Sequence, residues 1–476
     1  MMKNFSLYHE LNKTIFNFTP RSFYGIIPPS KLGKLRFGEM ENEFAFLQKT
    51  QWSSRTELEK IQLKRLKQII RHAYNNVSFY KKKFKKIGLK LDDIKKLDDL
   101  KKIPILTKQE LKQNVHDFLA QNCKIHKIIS TSGSTGKPLM IAVSRESIRW
   151  RDAALQTLFS WSNFNPKSEK IMGISLPPTW QEAYLTAYEV PFKGFKHVLS
   201  NRLHWIPRTL DSKEIIKLFS VIQKFEPKLI RTYPYIMLLL IIAKKKFDLK
   251  FPESLNFLFL GGEVFPQKFI QKHSGAEVFN QYGTMEIGQM AGECNEHSGL
   301  HVNMENTLIE IVKDGESVQS GEKGEVVATD FTNFDMPLLR YNLEDISEFE
   351  NGKCSCGRSL KRLKEIFGRK INLLVTTEGK LINESDGIFH IVQDRTGNFI
   401  KGVGQFRVVQ EKLNKVTIFI VPTEDYSNQI EDFITNRTKK LLGKDVEVNV
   451  KVLDKIKHGK KFQYIVSKVS KGLSGS

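Results

Sequence analysis

Between residues 57 and 74 the apolar positions Leu58, Ile61, Leu63, Leu66, Ile69 and Ile70 recur at spacings near three and four, with charged residues between them. That is the period of an amphipathic helix with one face turned to a core. After about residue 121 the pattern changes. Short apolar runs of strand length at 125–130, 171–175, 229–232, 255–260 and 278–281 alternate with helical stretches, which predicts an α/β layered domain with a substantially parallel sheet. Segments 306–312 and 324–329, with turns marked by Lys313-Asp314-Gly315 and Ser320-Gly321, predict a smaller β-rich appendage. Beyond Gly368 the pattern resets. Strand-like 405–410 and 416–421 precede a helix over 427–442 and an alternating strand through Val446, Val448, Val450 and Val452. The expected fold class is therefore α/β. A large multi-layer domain with mixed sheets spans 1–367, its first 120 residues helical and basic, and a small mobile α+β domain spans 368–476.

Composition narrows the class. A chain of 476 residues, 40% apolar and 27% charged, is too long for one core and too apolar to stay disordered. Subtracting 52 acidic from 75 basic residues leaves +23, a surface that attracts polyanions, anionic headgroups or phosphorylated small molecules. The lysines at 81–83, 85 and 86 and the pairs Lys95-Lys96 and Lys101-Lys102 form charge runs that match no recognition motif of aromatics interleaved with basic residues. They read as solvated helix faces, and no specific nucleic-acid partner is expected. The longest apolar run, 236–243, is far short of the roughly 20 residues a membrane span needs. The first residues, MMKNFSLYHELNK, lack the pattern of a secretory signal, so a cytoplasmic location is expected.

Four cysteines cannot make a disulfide scaffold, and three of them fall in two short clusters. Cys294-x-x-His297 and Cys354-x-Cys356 supply three thiolates and one imidazole, the donor set of a closed tetrahedral structural Zn²⁺ site, with His301 a rival for the fourth position. The sharpest local signal is Ser130-Thr131-Ser132-Gly133-Ser134-Thr135-Gly136-Lys137-Pro138 after a strand. Glycines let backbone amides approach an anion, hydroxyls add donors and one lysine adds charge, so the segment has the chemistry of a phosphate cradle. It is not a Walker A loop: the glycine spacing is too short, and Pro138 stands where a magnesium-binding hydroxyl would.

This loop resembles the signature loop of the adenylate-forming superfamily of acyl-CoA synthetases and luciferases, nearest to its phenylacetate-CoA ligase and capsule-biosynthesis branch. Further segments follow in the family's order: Gly261-Gly262-Glu263, then 280–286 (NQYGTME), then 336–341 (MPLLRY) leading to Asp345, then Gly368-Arg369, and finally 459–463 (GKKFQ). The resemblance implies an AMP-forming ligase that uses ATP and Mg²⁺ to join a carboxylic acid, through an acyl-adenylate, to an acceptor. CoA, an amine or a sugar remain open as that acceptor, the last two in capsule or O-antigen synthesis. By the same resemblance Ser132, Gly133, Ser134, Thr135, Gly136 and Lys137 surround the phosphates. Gly261, Gly262, Glu263, Tyr282 and Gly283 bind the nucleotide on its adenosine side, Tyr282 stacking on adenine beside Gly261 and Gly262, and the phosphate contact falls to Thr284. Asp345 accepts from the ribose hydroxyls, Arg369 reaches ribose or phosphate, and Glu286 holds Mg²⁺. Lys461, on the mobile domain, is the catalytic cation of adenylation.

The chain departs from the family pattern at Met285, where Thr is usual, at Glu344, and at Ile371 and Asn372, where acidic residues are usual. Those departures bear on the second, acceptor-dependent step. A basic nucleic-acid-binding protein and a catalytically silent interaction protein are the readings from other classes. A homodimer is among the open oligomeric states.

Overall fold

The structure, a computed structural model, describes residues 40–130, 139–175, 201–205, 212–262, 264–369, 373–382, 391–392, 400–456 and 464–469. It opens with helices α1 (Glu41–Thr50), α2 (Arg55–Asn76) and α3 (Ser78–Lys86). The predicted amphipathic helix is α2. Ser54 and Glu57 close a capping box at its start, and Leu58, Leu66, Ile69, Ile70 and Ala73 are buried along one face. A second capping box, Thr107 with Glu110, starts α4 (Lys108–Gln113). This leading region is bolted to the rest of the lobe by Arg340. Its guanidinium grips Glu310 bidentately at 3.0 Å and donates to the Ile103 carbonyl at 2.7 Å. Strands β1 (Lys127–Ser130) and β2 (Met140–Val143) pair antiparallel on either side of residues 131–138, and α5 (Arg145–Ser160) follows.

The large sheet has two halves. Strands β3 (Ile171–Ile174), β4 (Arg202–Trp205), β5 (Leu229–Thr232), β6 (Phe257–Gly261) and β7 (Glu277–Thr284) lie in the order β4-β3-β5-β6-β7, all parallel. Helices α6 (Ser212–Phe225), α7 (Pro234–Lys246) and α8 (Gln267–Ser274) cover one face, burying Met172, Ile230, Leu258, Leu260 and Val278 against Leu218, Ile222, Met237 and Ile270. The opposite face buries Phe259 and Phe279, stacked at 4.9 Å, against Phe159 of α5. From β7 the sheet continues antiparallel through β8 (Gly288–Gly292), β9 (Leu300–Val302), β14 (Arg362–Arg369), β13 (Tyr341–Phe349), β12 (Gly324–Asp330), β10 (Thr307–Lys313) and β11 (Glu316–Ser317). The segments expected to form a separate β-rich appendage therefore belong to the same ladder. The cause is β14, which returns from a distant loop to pair with both β9 and β13.

The C-terminal residues build a smaller α+β unit. A hairpin of β15 (Leu374–Val375) and β16 (Leu381–Ile382) accompanies a four-stranded sheet of β17 (Val403–Lys412), β18 (Lys415–Pro422), β19 (Glu447–Val452) and β20 (Ile465–Ser467), with helix α9 (Asn428–Leu442). Its own core holds Leu374, Val408, Val416, Ile418, Ile434 and Ile465. Buried Gln410 ties hairpin to sheet, accepting from the Val375 N–H at 2.9 Å and donating to the Val375 carbonyl at 2.7 Å. No helix among the described residues is long and apolar enough to cross a membrane.

Candidate functional site

The C-terminal end of β6 can only be glycine. A Cβ on Gly261 would lie 2.3 Å from the Gln281 carbonyl oxygen of the next strand, and Gly262 follows with φ +87°. Three strands separate β7 from β13 in the sheet, and it is the Tyr282 side chain that spans the gap. The Tyr282 hydroxyl donates to Asp345 Oδ2 at 2.8 Å, and Arg369, paired with Asp345 across β13 and β14, sets its Nε 3.7 Å from Oδ1. Burial first, and then the Asp345 carboxylate, push the Tyr282 phenol well above its ordinary value, so it stays a donor. Three residues 87 positions apart in sequence at their extremes thus meet at one corner of the sheet.

Glu286 lies buried in the turn between β7 and β8. Arg151 of α5, which no motif pointed to, holds that turn. It donates to the Met285 carbonyl at 3.1 Å and the Glu286 carbonyl at 2.7 Å, and sits 3.4 Å from Asp330 Oδ2. Asp330 is itself fixed by the Thr332 backbone and hydroxyl, both at 2.8 Å. Gly288, at φ +96°, leaves room for the arginine stem, since a Cβ there would stand 2.7 Å from Arg151 Cγ. Lys108 is a second cation that the sequence reading missed. The α4 start is placed here because Leu106 bridges Tyr341, donating to the Arg340 carbonyl at 2.8 Å and accepting from Asn342 at 2.9 Å. Burial, and then the Arg369 charge, lower the Lys108 pKa, while Glu286 and Glu344 oppose them. Of the other expected site residues, Gly283 and Thr284 end β7, whereas Ser132, Gly133, Ser134, Thr135, Gly136, Lys137, Glu263 and Lys461 lie outside the described residues, as do Ile371 and Asn372.

A second cluster forms across β8, β9 and the loop before β14. The donor atoms of Cys294, His301, Cys354 and Cys356 all lie within 4.8 Å of one another. Cys294 Sγ is 3.8 Å from Cys354 Sγ, and Cys356 Sγ is 3.5 Å from His301 Nε2. A disulfide needs about 2.05 Å. Tetrahedral zinc, with Zn–S near 2.3 Å and Zn–N near 2.0–2.1 Å, implies edges of about 3.8 Å and about 3.5 Å, so the donor set fits the metal.

His301 is fully buried, and burial, then Arg358 and Arg362, drive its pKa down to about 3. It is the neutral imidazole that a metal requires. Burial also pushes the Cys294 thiol up to about 12, a penalty that coordination removes by stabilising the thiolate. His297 does not join this group. It turns at φ +46° and pairs with Glu293 at 3.1 Å and Glu277 at 3.0 Å. The reason is direction: the tight turn aims His297 back at β7, while β9 carries His301 under the thiols. Gln51, accepting from Trp161 at 2.7 Å and Arg358 at 2.9 Å, packs α1 onto the cluster.

The model of the CapK C-terminal domain matches residues 374–468. Phenylacetate-coenzyme A ligase of Aromatoleum evansii is 27% identical over 68% of this chain and 73% of its own length. Protein CapK of Staphylococcus aureus is 21% identical over 86% of this chain and 88% of its own. The crystal structure of a 2-hydroxyisobutyryl-CoA ligase in the postadenylation state, in complex with R3-HIB-AMP, superposes with a TM-score of 0.70 at 17% identity. That match covers 87% of this chain and 90% of the other. Sequence relatives, the C-terminal model and the shared fold agree with the motif order, and the chain is similar to the phenylacetate-CoA ligases and CapK of the adenylate-forming superfamily.

Proposed function

We propose that this protein is an ATP-dependent acid ligase. A carboxylate attacks the α-phosphorus of ATP, the bond to pyrophosphate breaks, and an acceptor nucleophile then displaces AMP from the acyl-adenylate. The observation that carries the reading is the Tyr282–Asp345–Arg369 corner beside Glu286 in a chain similar to these ligases. Asp345 presents carboxylate oxygens to paired hydroxyls such as those of ribose, and the Tyr282 bond fixes its rotamer. Arg369 and Lys108 place positive charge where phosphate charge accumulates. Glu286, its turn clamped by Arg151, would hold Mg²⁺, which when bound screens the phosphates. The loop 131–138, with Ser132 to Lys137, is assigned the phosphates and Glu263 the adenosine side on composition and order. Lys461 is assigned the adenylation cation on a mobile unit 368–476 that closes over 1–367.

The acceptor is CoA or, as the CapK likeness allows, an amine or sugar of a capsule pathway. A cytoplasmic setting suits ATP and CoA. Cys294, His301, Cys354 and Cys356 would hold structural Zn²⁺, tying β8, β9 and the loop before β14 together. The test is ATP–pyrophosphate exchange with a panel of acids, followed by acceptor-dependent AMP release with and without CoA. Exchange with at least one acid is expected, and its absence with every acid overturns the reading. Lys461→Ala is expected to cut exchange by at least about 100-fold while ATP still binds, and full exchange in that variant removes Lys461 from its role.

A further inference from the structure

Helices α6, α7 and α8 form the layer over one face of the parallel strands, and α7 packs between the other two. A helix in such a layer ordinarily shows a polar side to water. α7 does not. It buries Ile236, Met237, Leu240 and Ile241, yet Leu239 on its outer side is only half-buried and Ile242, three residues on, is 52% exposed. Ile216 of α6 and Phe247, which caps the end of α7, are exposed as well. Lysines surround these apolar groups. α6 has three of them, α7 three and α8 two, against a single acid, Glu214, which Lys217 approaches at 3.6 Å.

Topology gathers the charge at one edge. The helices run back against parallel strands, so their last turns, with Lys224, Lys245, Lys246 and Lys272, share the edge where the strands begin. Gly261 and Tyr282 lie at the opposite edge, where β6 and β7 end. Lys244 Nζ donates to the His273 carbonyl at 2.8 Å and ties the ends of α7 and α8 together. Burial, and then the charges of Lys272, Lys245 and Lys244, lower the His273 pKa, as the crowding of these cations requires. Lys246 Nζ stands 5.6 Å over the Phe247 ring. Lys224, Lys245, Lys268 and Lys272 are exposed and form no ion pair among the described residues. The turn after α7 adds Lys250 and the acids Asp248 and Glu253. Helix C-termini attract cations, which accounts for the lysines of the last turns but not for Lys268, nor for Ile242 and Phe247 left in water.

We propose that this edge of the helix layer rests on an anionic lipid bilayer, its lysines among the headgroup phosphates and Ile242 and Phe247 in the boundary between headgroups and acyl chains. Charge selects this occupant over a second copy of the chain, because a two-fold contact would set lysines against lysines. The exposed aliphatic Ile242 selects it over a nucleic acid, which engages cations and flat aromatic rings. Docked in this way, the protein turns the edge that carries Tyr282 away from the bilayer. The inference goes beyond the ligase reading and stands independently of it.

The test is co-sedimentation of the full chain with vesicles of phosphatidylcholine alone and of phosphatidylcholine mixed equally with phosphatidylglycerol. The wild-type protein is expected to bind the anionic vesicles at least about 100-fold more tightly, and to lose most of that preference in about 1 M salt. The triple variant Lys245→Gln, Lys246→Gln, Lys272→Gln is expected to weaken binding by at least about tenfold, each lysine near an anionic surface being worth about fivefold. Ile242→Ser is expected to weaken it by about threefold or more. Lys60→Gln, Lys64→Gln, Lys67→Gln removes the same charge from the exposed side of α2 and is expected to stay within about threefold of wild type. All the substituted positions are exposed, and matching unfolding midpoints show that the variants are folded. A wild-type protein that ignores anionic vesicles, equal losses in the two triple variants, or vesicle binding that Ile242→Ser leaves unchanged overturns the proposal. Tighter binding to duplex DNA of random sequence than to the anionic vesicles overturns it as well.

Discussion

The cysteine cluster and the Tyr282 corner lie in the same sheet and are assembled in opposite ways. At the corner the polar groups answer one another: Tyr282 donates to Asp345, Arg369 flanks it, and Arg151 satisfies the carbonyls of the Glu286 turn. In the cluster, folding drives three thiols and an imidazole together under burial that disfavours Cys294 ionisation, and His301 Nδ1 is buried with no hydrogen-bond partner among the described residues. The first arrangement is stable before any ligand arrives. The second would gain its stability from the Zn²⁺ proposed for it, which its geometry fits. Damage to the cluster is therefore expected to appear as lost stability, and damage to the corner as lost activity.

The largest effect tests that contrast directly. Stripping zinc with a chelator, or Cys354→Ser, is expected to destabilise the large lobe by on the order of 5 kcal/mol, read by denaturant unfolding alongside metal content. Protein that holds less than about half an equivalent of zinc per chain and ignores the chelator would break the comparison. Next comes Arg151→Ala. It strands the Asp330 carboxylate, whose side chain is only 1% exposed, at a cost of roughly 3–5 kcal/mol in stability. It also loosens the Glu286 turn, so the Mg²⁺ concentration for half-maximal exchange should rise. An unchanged Mg²⁺ dependence would reduce Arg151 to a purely structural role.

Asp345→Ala sharpens the other side. It is expected to lower kcat/KM for ATP by about 100-fold, the worth of hydrogen bonds to a charged group, while stability falls by only about 1–3 kcal/mol for the Tyr282 hydroxyl left without its acceptor, less than the loss expected at the cysteine cluster. A large midpoint shift with normal ATP kinetics would reverse the assignment of the two regions. The smallest effect concerns His297, whose pKa is raised to about 9, first by its hydrogen bond to Glu293, against burial, and then by Glu277. A folded value above the unfolded one of about 6.5 means that its contribution is complete below about pH 6.5. The contribution fades as pH rises and is lost above about 9. Because the pair is partly solvated it should amount to less than about 1 kcal/mol. Unfolding of wild type and His297→Gln compared from pH 6 to 10 should converge at the alkaline end, and parallel profiles would refute it.

How much was legible follows from the range of each interaction. The helix read at 57–74 is α2, Arg55–Asn76, and that read at 427–442 is α9, Asn428–Leu442, because period and caps are local. The strand at 229–232 coincides with β5 for the same reason. Joining 306–329 to the main sheet depended on β14 coming back from residue 362, which no local pattern encodes. Choosing between His297 and His301 needed side-chain direction, whereas spacing counts only residues. Arg151 and Lys108 carry no motif; what marks them is burial at odds with charge, and burial is a property of the folded chain.

By itself the sequence determined the alternation of elements, the order of the motif blocks and the kinds of groups available for chemistry, since these depend on neighbours within a few residues. Only the tertiary structure decided which of those groups meet. Asp345 reaches Tyr282, and His301 rather than His297 meets the three thiols, because strand pairing and register bring together residues that are remote along the chain.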